Sequence, residues 1–156
     1  MKLYFRQRLF SWFDSYDVYD ESGETAFTVQ GKLAWGKLLQ IYDRFDQHVG
    51  TLRQVLFTWL PRFEIETYGR VIGEITKEFS FFKPQFSLDC NGWTVEGDWL
   101  EWDYAIYAAD GREVARISKE LFHMTDHYEL DIADPADALT VLLVVLAIDA
   151  EKDNRN

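Results

Sequence analysis

A single cysteine, Cys90, leaves the chain no internal disulfide, which fits a reducing compartment, read here as the cytosol. No histidine stands beside it in sequence to activate the thiol, so it reads as a packing residue rather than a nucleophile. Cations are also scarce: 16 lysines and arginines face 27 aspartates and glutamates, a net charge of −11. A general nucleic-acid binder shows a basic footprint, so that class is disfavoured. Overall charge does not draw the chain to anionic lipid either, although a local basic patch still could. The acidity itself reads as solubility, or as adaptation to a saline habitat. There is no glycine-rich phosphate loop, no Ser-His-Asp spacing and no CxxC pair, and no cofactor is expected. Met1 to Phe10 holds Lys2, Arg6 and Arg8 but no apolar stretch of useful length, and no small-residue cleavage site follows, so no signal peptide is read. The longest apolar run, near the C-terminus, is about half of the ~20 residues a membrane-spanning helix needs. Acidic residues rather than basic ones lead into it.

What the chain does contain points to β structure. Hydrophobic residues make up 47% and aromatics 17% of 156 residues, which excludes a disordered chain and favours strands. Apolar and polar residues alternate in Tyr16-Asp17-Val18-Tyr19, Phe27-Thr28-Val29-Gln30, Leu39-Gln40-Ile41-Tyr42 and Phe63-Glu64-Ile65-Glu66. The same period recurs in Phe86-Ser87-Leu88-Asp89, Trp93-Thr94-Val95-Glu96, Tyr104-Ala105-Ile106-Tyr107 and Tyr128-Glu129-Leu130-Asp131-Ile132. Period two gives each strand one buried and one wet face. Turn signals fall between them at Glu21-Ser22-Gly23, Tyr68-Gly69, Asn91-Gly92 and Asp110-Gly111; Asn91-Gly92 predicts a two-residue hairpin turn.

The chain also repeats itself. Val49-Gly50-Thr51-Leu52-Arg53-Gln54-Val55-Leu56 resembles Ile72-Gly73-Glu74-Ile75-Thr76-Lys77-Glu78-Phe79, and both resemble Val114-Ala115-Arg116-Ile117-Ser118-Lys119-Glu120-Leu121. Each unit is followed by the same kind of strand, beginning at Phe63, Phe86 and Tyr128. Repeated hairpins imply a sheet built by repetition, and the small second residue marks a bend or a close approach of backbones.

One helix closes the sequence. Asp134 suits an N-cap, Pro135 the first helical position, and Asp137 the positive end of the dipole. From Leu139 to Ile148 the chain is apolar on every face, broken by Thr140. Such a helix must be surrounded; its eight large apolar side chains represent roughly 12–24 kcal/mol of gross burial. About a dozen antiparallel strands must close or split into two sheets, and a closed barrel of that size has a lumen too wide for strand side chains alone. A helix ~10–12 Å across fills it. The expected fold is therefore mainly β: a closed antiparallel barrel of about twelve strands around a central hydrophobic C-terminal helix. A β-sandwich with the helix across one end is weaker, because it leaves part of the helix wet. Residues 1–150 are read as one domain, with 151–156 a polar tail whose removal should be tolerated.

Leu3-Tyr4-Phe5-Arg6-Gln7-Arg8-Leu9-Phe10-Ser11, Val18-Tyr19-Asp20-Glu21-Ser22-Gly23, Phe82-Lys83-Pro84-Gln85-Phe86 and Asp131-Ile132-Ala133-Asp134-Pro135-Ala136-Asp137 resemble the LURP-one-related family as found in bacteria and archaea, from Met1 to about Asp149. The resemblance implies a fold of the tubby C-terminal-like superfamily, which includes phospholipid scramblases: twelve strands around a hydrophobic helix. It also implies lipid or defence-related roles among relatives. No phosphoinositide-site motif and no scramblase calcium segment matches residue by residue, so no functional residue carries over.

Four clusters remain as candidate sites. His123, Asp126 and His127 contain metal-ligand residue types, but an i,i+4 pair converges on a helix, and these lie in a loop entering a strand. Asp98, Glu101 and Asp103, among Trp99 and Trp102, could perform acid–base work or hold a cation; a solvated hairpin tip is the simpler reading. Arg112, Arg116, Lys119, Lys77 and Lys83 could form a phosphate patch, against ordinary outward strand charges. Trp12, Phe13, Trp35 and Trp59-Leu60-Pro61 read first as core or barrel-cap packing. If they were exposed on loops, they would suit a membrane interface or a partner. The overall expectation is a monomeric, cytoplasmic, non-enzymatic binding or scaffold domain for a lipid head group, a membrane surface or a protein, with no catalytic, cofactor or metal residue assigned. The alternative is a small-molecule or metal-dependent enzyme using the acidic or histidine cluster.

Overall fold

Twelve strands form where the alternating and repeated segments place them. The computed structural model of the chain describes residues 1–6, 15–78, 85–122 and 125–154. Its strands are β1 (Lys2–Arg6), β2 (Ser15–Tyr19), β3 (Thr25–Lys32), β4 (Leu38–Asp43), β5 (His48–Gln54), β6 (Arg62–Thr67), β7 (Arg70–Glu78), β8 (Gln85–Leu88), β9 (Trp93–Asp98), β10 (Asp103–Tyr107), β11 (Glu113–Phe122) and β12 (Thr125–Ile132). Neighbours in sequence pair antiparallel, and β1 pairs with β12, so the sheet closes on itself. The closure is latched where the Met1 amine donates to the Ile132 carbonyl (3.1 Å) and the Ile132 N–H to the Met1 carbonyl (2.8 Å).

The repeat has a structural meaning. Its first residue is unpaired each time: Val49 between the pairs Tyr42–His48 and Ile41–Gly50, Ile72 between Glu66–Val71 and Ile65–Gly73, Val114 between Tyr107–Glu113 and Ile106–Ala115. Ala26 does the same between Tyr19–Thr25 and Val18–Phe27. These are β-bulges, which bend a strand and increase its twist; placed around the ring, they supply the curvature that closure demands. At the small second residue of the second unit, a Cβ on Gly73 would collide with the Asp89 carboxylate and Cys90. The β8–β9 turn lies folded onto β7 there, and Asp89 Oδ1 accepts the Glu74 N–H at 2.8 Å. That turn spans Asp89–Gly92 between paired Leu88 and Trp93, four residues rather than the two expected. Cys90, expected to pack, is exposed in it.

The helix α1 (Ala138–Asn154) runs through the barrel. Asp134 caps a 3-10 turn at Pro135–Asp137, accepting the Ala136 N–H at 3.0 Å, and the α-helix proper follows. Every residue from Val141 to Ile148 is buried, as are Ala150 and Glu151. This meets the inward row of the strands, among them Leu3, Val18, Ile41, Ile65, Ile106 and Leu130. The helix does not stop at the expected boundary. Glu151 is buried against Lys77 (3.3 Å), and Lys37 donates to the Ala150 carbonyl (2.8 Å) and to Asp153 (2.7 Å). Residues 151–154 are thus anchored helix rather than a frayed tail.

Tyr104 points inward from β10, and its hydroxyl is buried with no hydrogen-bond partner among the described residues. Burial, reinforced by the Asp149 charge, lifts its pKa well above the ordinary value of 10.0. The folded state therefore keeps this proton where the unfolded chain has lost it. The stability at stake is intact below the unfolded value and falls as pH rises above it. Tyr104→Phe is expected to flatten the alkaline fall in melting temperature, measured from about pH 8 to 11. At neutral pH it should be neutral or stabilising, since an unmade buried hydrogen bond is removed.

Candidate functional site

Antiparallel neighbours send successive connections to alternate ends of the barrel. The helix enters from the end that holds Met1 and Asp134 and finishes at the other, which we call the distal end. The distal rim carries the β3–β4 connection (33–37), the β5–β6 connection (55–61) and the β9–β10 connection (99–102). These three behave in two opposite ways.

The β9–β10 connection folds inward. Trp99–Glu101 form a 3-10 turn, with Asp98 accepting the Glu101 N–H at 3.3 Å. Trp99 packs edge-on to Phe86 at 5.1 Å, and Trp102 stacks on Tyr128 at 3.8 Å, its backbone left-handed at φ 58°. Lys77 lies 5.1 Å from the Trp99 ring and Lys152 4.6 Å from Trp102, cation–π contacts that tie this cap to the helix end. Burial of Lys152 lowers its pKa. Gly97 makes the approach possible: at φ +124°, any Cβ would lie 2.7 Å from the Asp103 carbonyl oxygen. Gly97→Ala is expected to cost on the order of 2–3 kcal/mol through backbone strain, read as a lower denaturation midpoint with little change in m-value.

The other two connections project outward. Trp35 is 93% exposed, and Phe57 and Trp59 are both 103% exposed, with Leu33 and Leu60 beside them. Phe57 holds a left-handed backbone (φ 61°), and the Thr58 hydroxyl donates to the Leu60 carbonyl at 2.7 Å. The expectation of core or cap packing therefore fails for Trp35 and Trp59; Trp99 and Trp102, which the sequence places in a solvated hairpin tip, form the cap instead. Trp12 and Phe13 lie outside the described residues.

The remaining candidates do not assemble. Lys77 points inward to Glu151, Arg116 pairs with Glu113 (2.9 Å), Lys119 is exposed on β11, Arg112 sits at the opposite end, and Lys83 lies outside the described residues. Among the described residues the phosphate patch is therefore not formed, and Lys77 is not an outward strand charge. His123 lies outside the described residues, and His127 is half-buried on β12 opposite Arg6 and Glu120. Among the described residues no three His, Cys, Asp or Glu side chains gather as metal ligands. The carboxylates of Asp98, Glu101 and Asp103 are exposed. Asp98 and Asp103 border a shallow groove of about 620 Å³ on the outer wall, with Glu96, Gln85, Tyr107 and Arg116. Cys90 is no activated thiol: partial burial and then the Asp89 charge push its pKa up.

A model of the family described as LURP-one-related matches residues 1–149. The chain belongs to that family. It is 30% identical over 151 residues to the uncharacterised protein YxjI of Bacillus subtilis (strain 168), covering 96% of this chain and 92% of that one. A protein of Arabidopsis thaliana solved by X-ray crystallography shares the fold, with a TM-score of 0.64 at 16% identity, over 95% of this chain and 90% of that chain. In this LURP-one-related barrel the lumen belongs to the helix, so contact surfaces are the outer wall and the rims. Among the described residues no helix is long and apolar enough to cross a membrane. Sequence reasoning missed Leu33 and Phe57. The signal available was their spacing from Trp35 and Trp59 within segments that lack the period-two alternation of the strands.

Proposed function

We propose that this LURP-one-related chain is a monomeric, cytosolic, non-catalytic binding module that engages its partner through the distal rim. The observation that carries this is the near-complete exposure of Trp35, Phe57 and Trp59 on two adjacent connections. Large apolar rings held in water by a folded domain mark contact surfaces. The enzyme reading has less support, because Asp98, Glu101 and Asp103 have exposed carboxylates and one of them serves as a cap.

The test is site-specific photo-crosslinking in cells, with the photoreactive residue at Leu33 or Phe57, and at Tyr68 on the opposite end as the control. Adducts, to protein or to lipid, are expected from Leu33 and Phe57 and not from Tyr68. The same pattern should persist in Asp98→Asn/Asp103→Asn. Equal adducts from both ends, or none from the distal rim, would overturn the assignment.

A further inference from the structure

Resting on that reading, we propose that the occupant of the distal rim is the interface of an anionic lipid bilayer. Trp35 and Trp59 would seat among the headgroups, and Lys32 and Arg62 would face the lipid phosphates.

Charge separates this patch from the rest of the chain. Acids outnumber bases 27 to 16 overall, yet residues 30–42 and 51–63 contain Lys32, Lys37, Arg53 and Arg62 and no carboxylate. Arg53 and Arg62 pair with Glu64 (3.9 Å) and Glu74 (3.3 Å) on the neighbouring wall, and both guanidiniums stay about half exposed. The helix end brings two acids close by, and each is ion-paired: Glu151 with Lys77 at 3.3 Å and Asp153 with Lys37 at 2.7 Å. The exposed carboxylates Asp98, Glu101 and Asp103 sit on β9 and β10 and their connection, about half a turn around the ring from β4 and β5. The opposite end also exposes apolar side chains, Phe45 and Tyr68. Its connections, however, hold Asp20, Glu21, Asp46, Asp89, Asp110 and Asp134 against Arg44, which pairs with Asp20 at 3.4 Å, and Arg112, a net negative charge that an anionic surface repels. Among the described residues the barrel is therefore polarised, and the β3–β6 side of the distal rim is the exposed apolar surface suited to negative lipid.

Shape points to a fluid occupant. Protein hot spots sit in packed, desolvated pockets, whereas full exposure of Phe57 and Trp59 means that each ring projects alone. Tryptophan prefers the membrane–water interface, where its ring is apolar and its N–H is wet. The mount is fixed: Lys37, two residues after Trp35, is bonded to the helix end, so little ordering remains to be done on docking. The acidic end of a second copy would match the charge, but such a head-to-tail contact is heterologous and would generate rings or open chains rather than the monomer proposed above.

The test uses cosedimentation with vesicles of phosphatidylcholine, alone or mixed with phosphatidylglycerol, together with fluorescence quenching by brominated acyl chains. Binding is expected to the mixed vesicles at low salt and to weaken as salt rises. Trp35→Ser/Trp59→Ser should weaken it roughly tenfold or more and abolish the quenched fraction of the emission. Lys32→Gln and Arg62→Gln should each weaken binding about fivefold, and Phe45→Ser/Tyr68→Ser should leave it unchanged. All of these positions lie at the surface, so unchanged melting curves will confirm that the variants fold. No binding to the mixed vesicles at low salt overturns the bilayer assignment, while the crosslinks from Leu33 and Phe57 separately decide whether the rim is a contact surface. Vesicle binding untouched by the tryptophan variant overturns the placement of the bilayer on this rim. Head-to-tail oligomers that Trp35→Ser/Trp59→Ser disperses would replace the bilayer with a second copy.

Discussion

Val144→Asp is expected to leave the domain unfolded, with no cooperative melt and no near-ultraviolet circular dichroism. Val144 is 2% exposed in the middle of a helix whose neighbours Val141 to Ile148 are all buried. A carboxylate there would lie in the lumen, among Leu, Val and Ile side chains, far from the ion pairs at the helix end. Its alternatives are a strongly raised pKa or displacement of the helix, and each costs several kcal/mol. A domain of this kind is stable by only about 5–15 kcal/mol, and loss of the helix would also empty the lumen that the strands enclose. Val144→Ala, which removes apolar volume without adding charge, is expected to cost about 2–3 kcal/mol and to keep a cooperative transition. A melting temperature for Val144→Asp close to that of the unmodified chain would contradict the central helix. Thermal and chemical melts of the two variants side by side decide the matter.

The second large effect lies where the helix leaves the barrel. Glu151→Ala is expected to destabilise the domain by about 3–5 kcal/mol, because it leaves the Lys77 ammonium buried and unpaired. Lys77 is 9% and Glu151 5% exposed, with the Trp99 ring 5.1 Å from the ammonium. Exposed pairs on the wall are different: Arg53–Glu64 at 3.9 Å and Arg116–Glu113 at 2.9 Å are well solvated and should each contribute at most ~1 kcal/mol. Replacing both buried partners, Lys77→Met/Glu151→Met, should recover most of the loss, since two apolar side chains need no compensation. Truncation after Asp149 combines the loss of Glu151 with the loss of the Ala150 carbonyl and the Asp153 carboxylate that hold Lys37. It should therefore destabilise at least as much as Glu151→Ala. A denaturant midpoint for Glu151→Ala within error of the unmodified chain would show that the pair is dispensable; equal losses in the single and double variants would show that packing rather than charge is at stake.

Most of the barrel was legible in particular residues. Period-two alternation marked eight strands directly, and the three repeat units coincide with β5, β7 and β11, which alternate less cleanly because each begins at a bulge. Val49, Ile72 and Val114 could be seen to repeat, but nothing local shows that each is the unpaired residue of a pair; pairing is a property of two strands. Asn91-Gly92 marked a hairpin correctly and its length wrongly, because the register of Leu88 with Trp93 is set by the β7 and β9 neighbours. The polarity of Glu151 to Asn156 suggested a loose tail, since polar residues usually face water. Here the barrel end supplies Lys77 and Lys37 as partners, and partners distant in sequence cannot be read from the helix alone.

The candidate surface shows the same division. Sequence by itself determined a closed β barrel with a helical axle, because alternation and an all-round apolar helix are local patterns with few solutions for burying them. It also determined that cations without carboxylates flank Trp35 and Trp59. Which tryptophans face water was decided only by tertiary structure. Trp99 and Trp102 stand in a connection of four residues that closes over the helix end, held by Gly97 and by Lys77 and Lys152. Trp35 and Trp59 stand in connections that leave the rim, one pinned at Lys37 and the other running seven residues through a left-handed Phe57. All four are tryptophans next to apolar residues in short connections; one connection packs its tryptophans against the helix end, and the other two hold theirs in solvent.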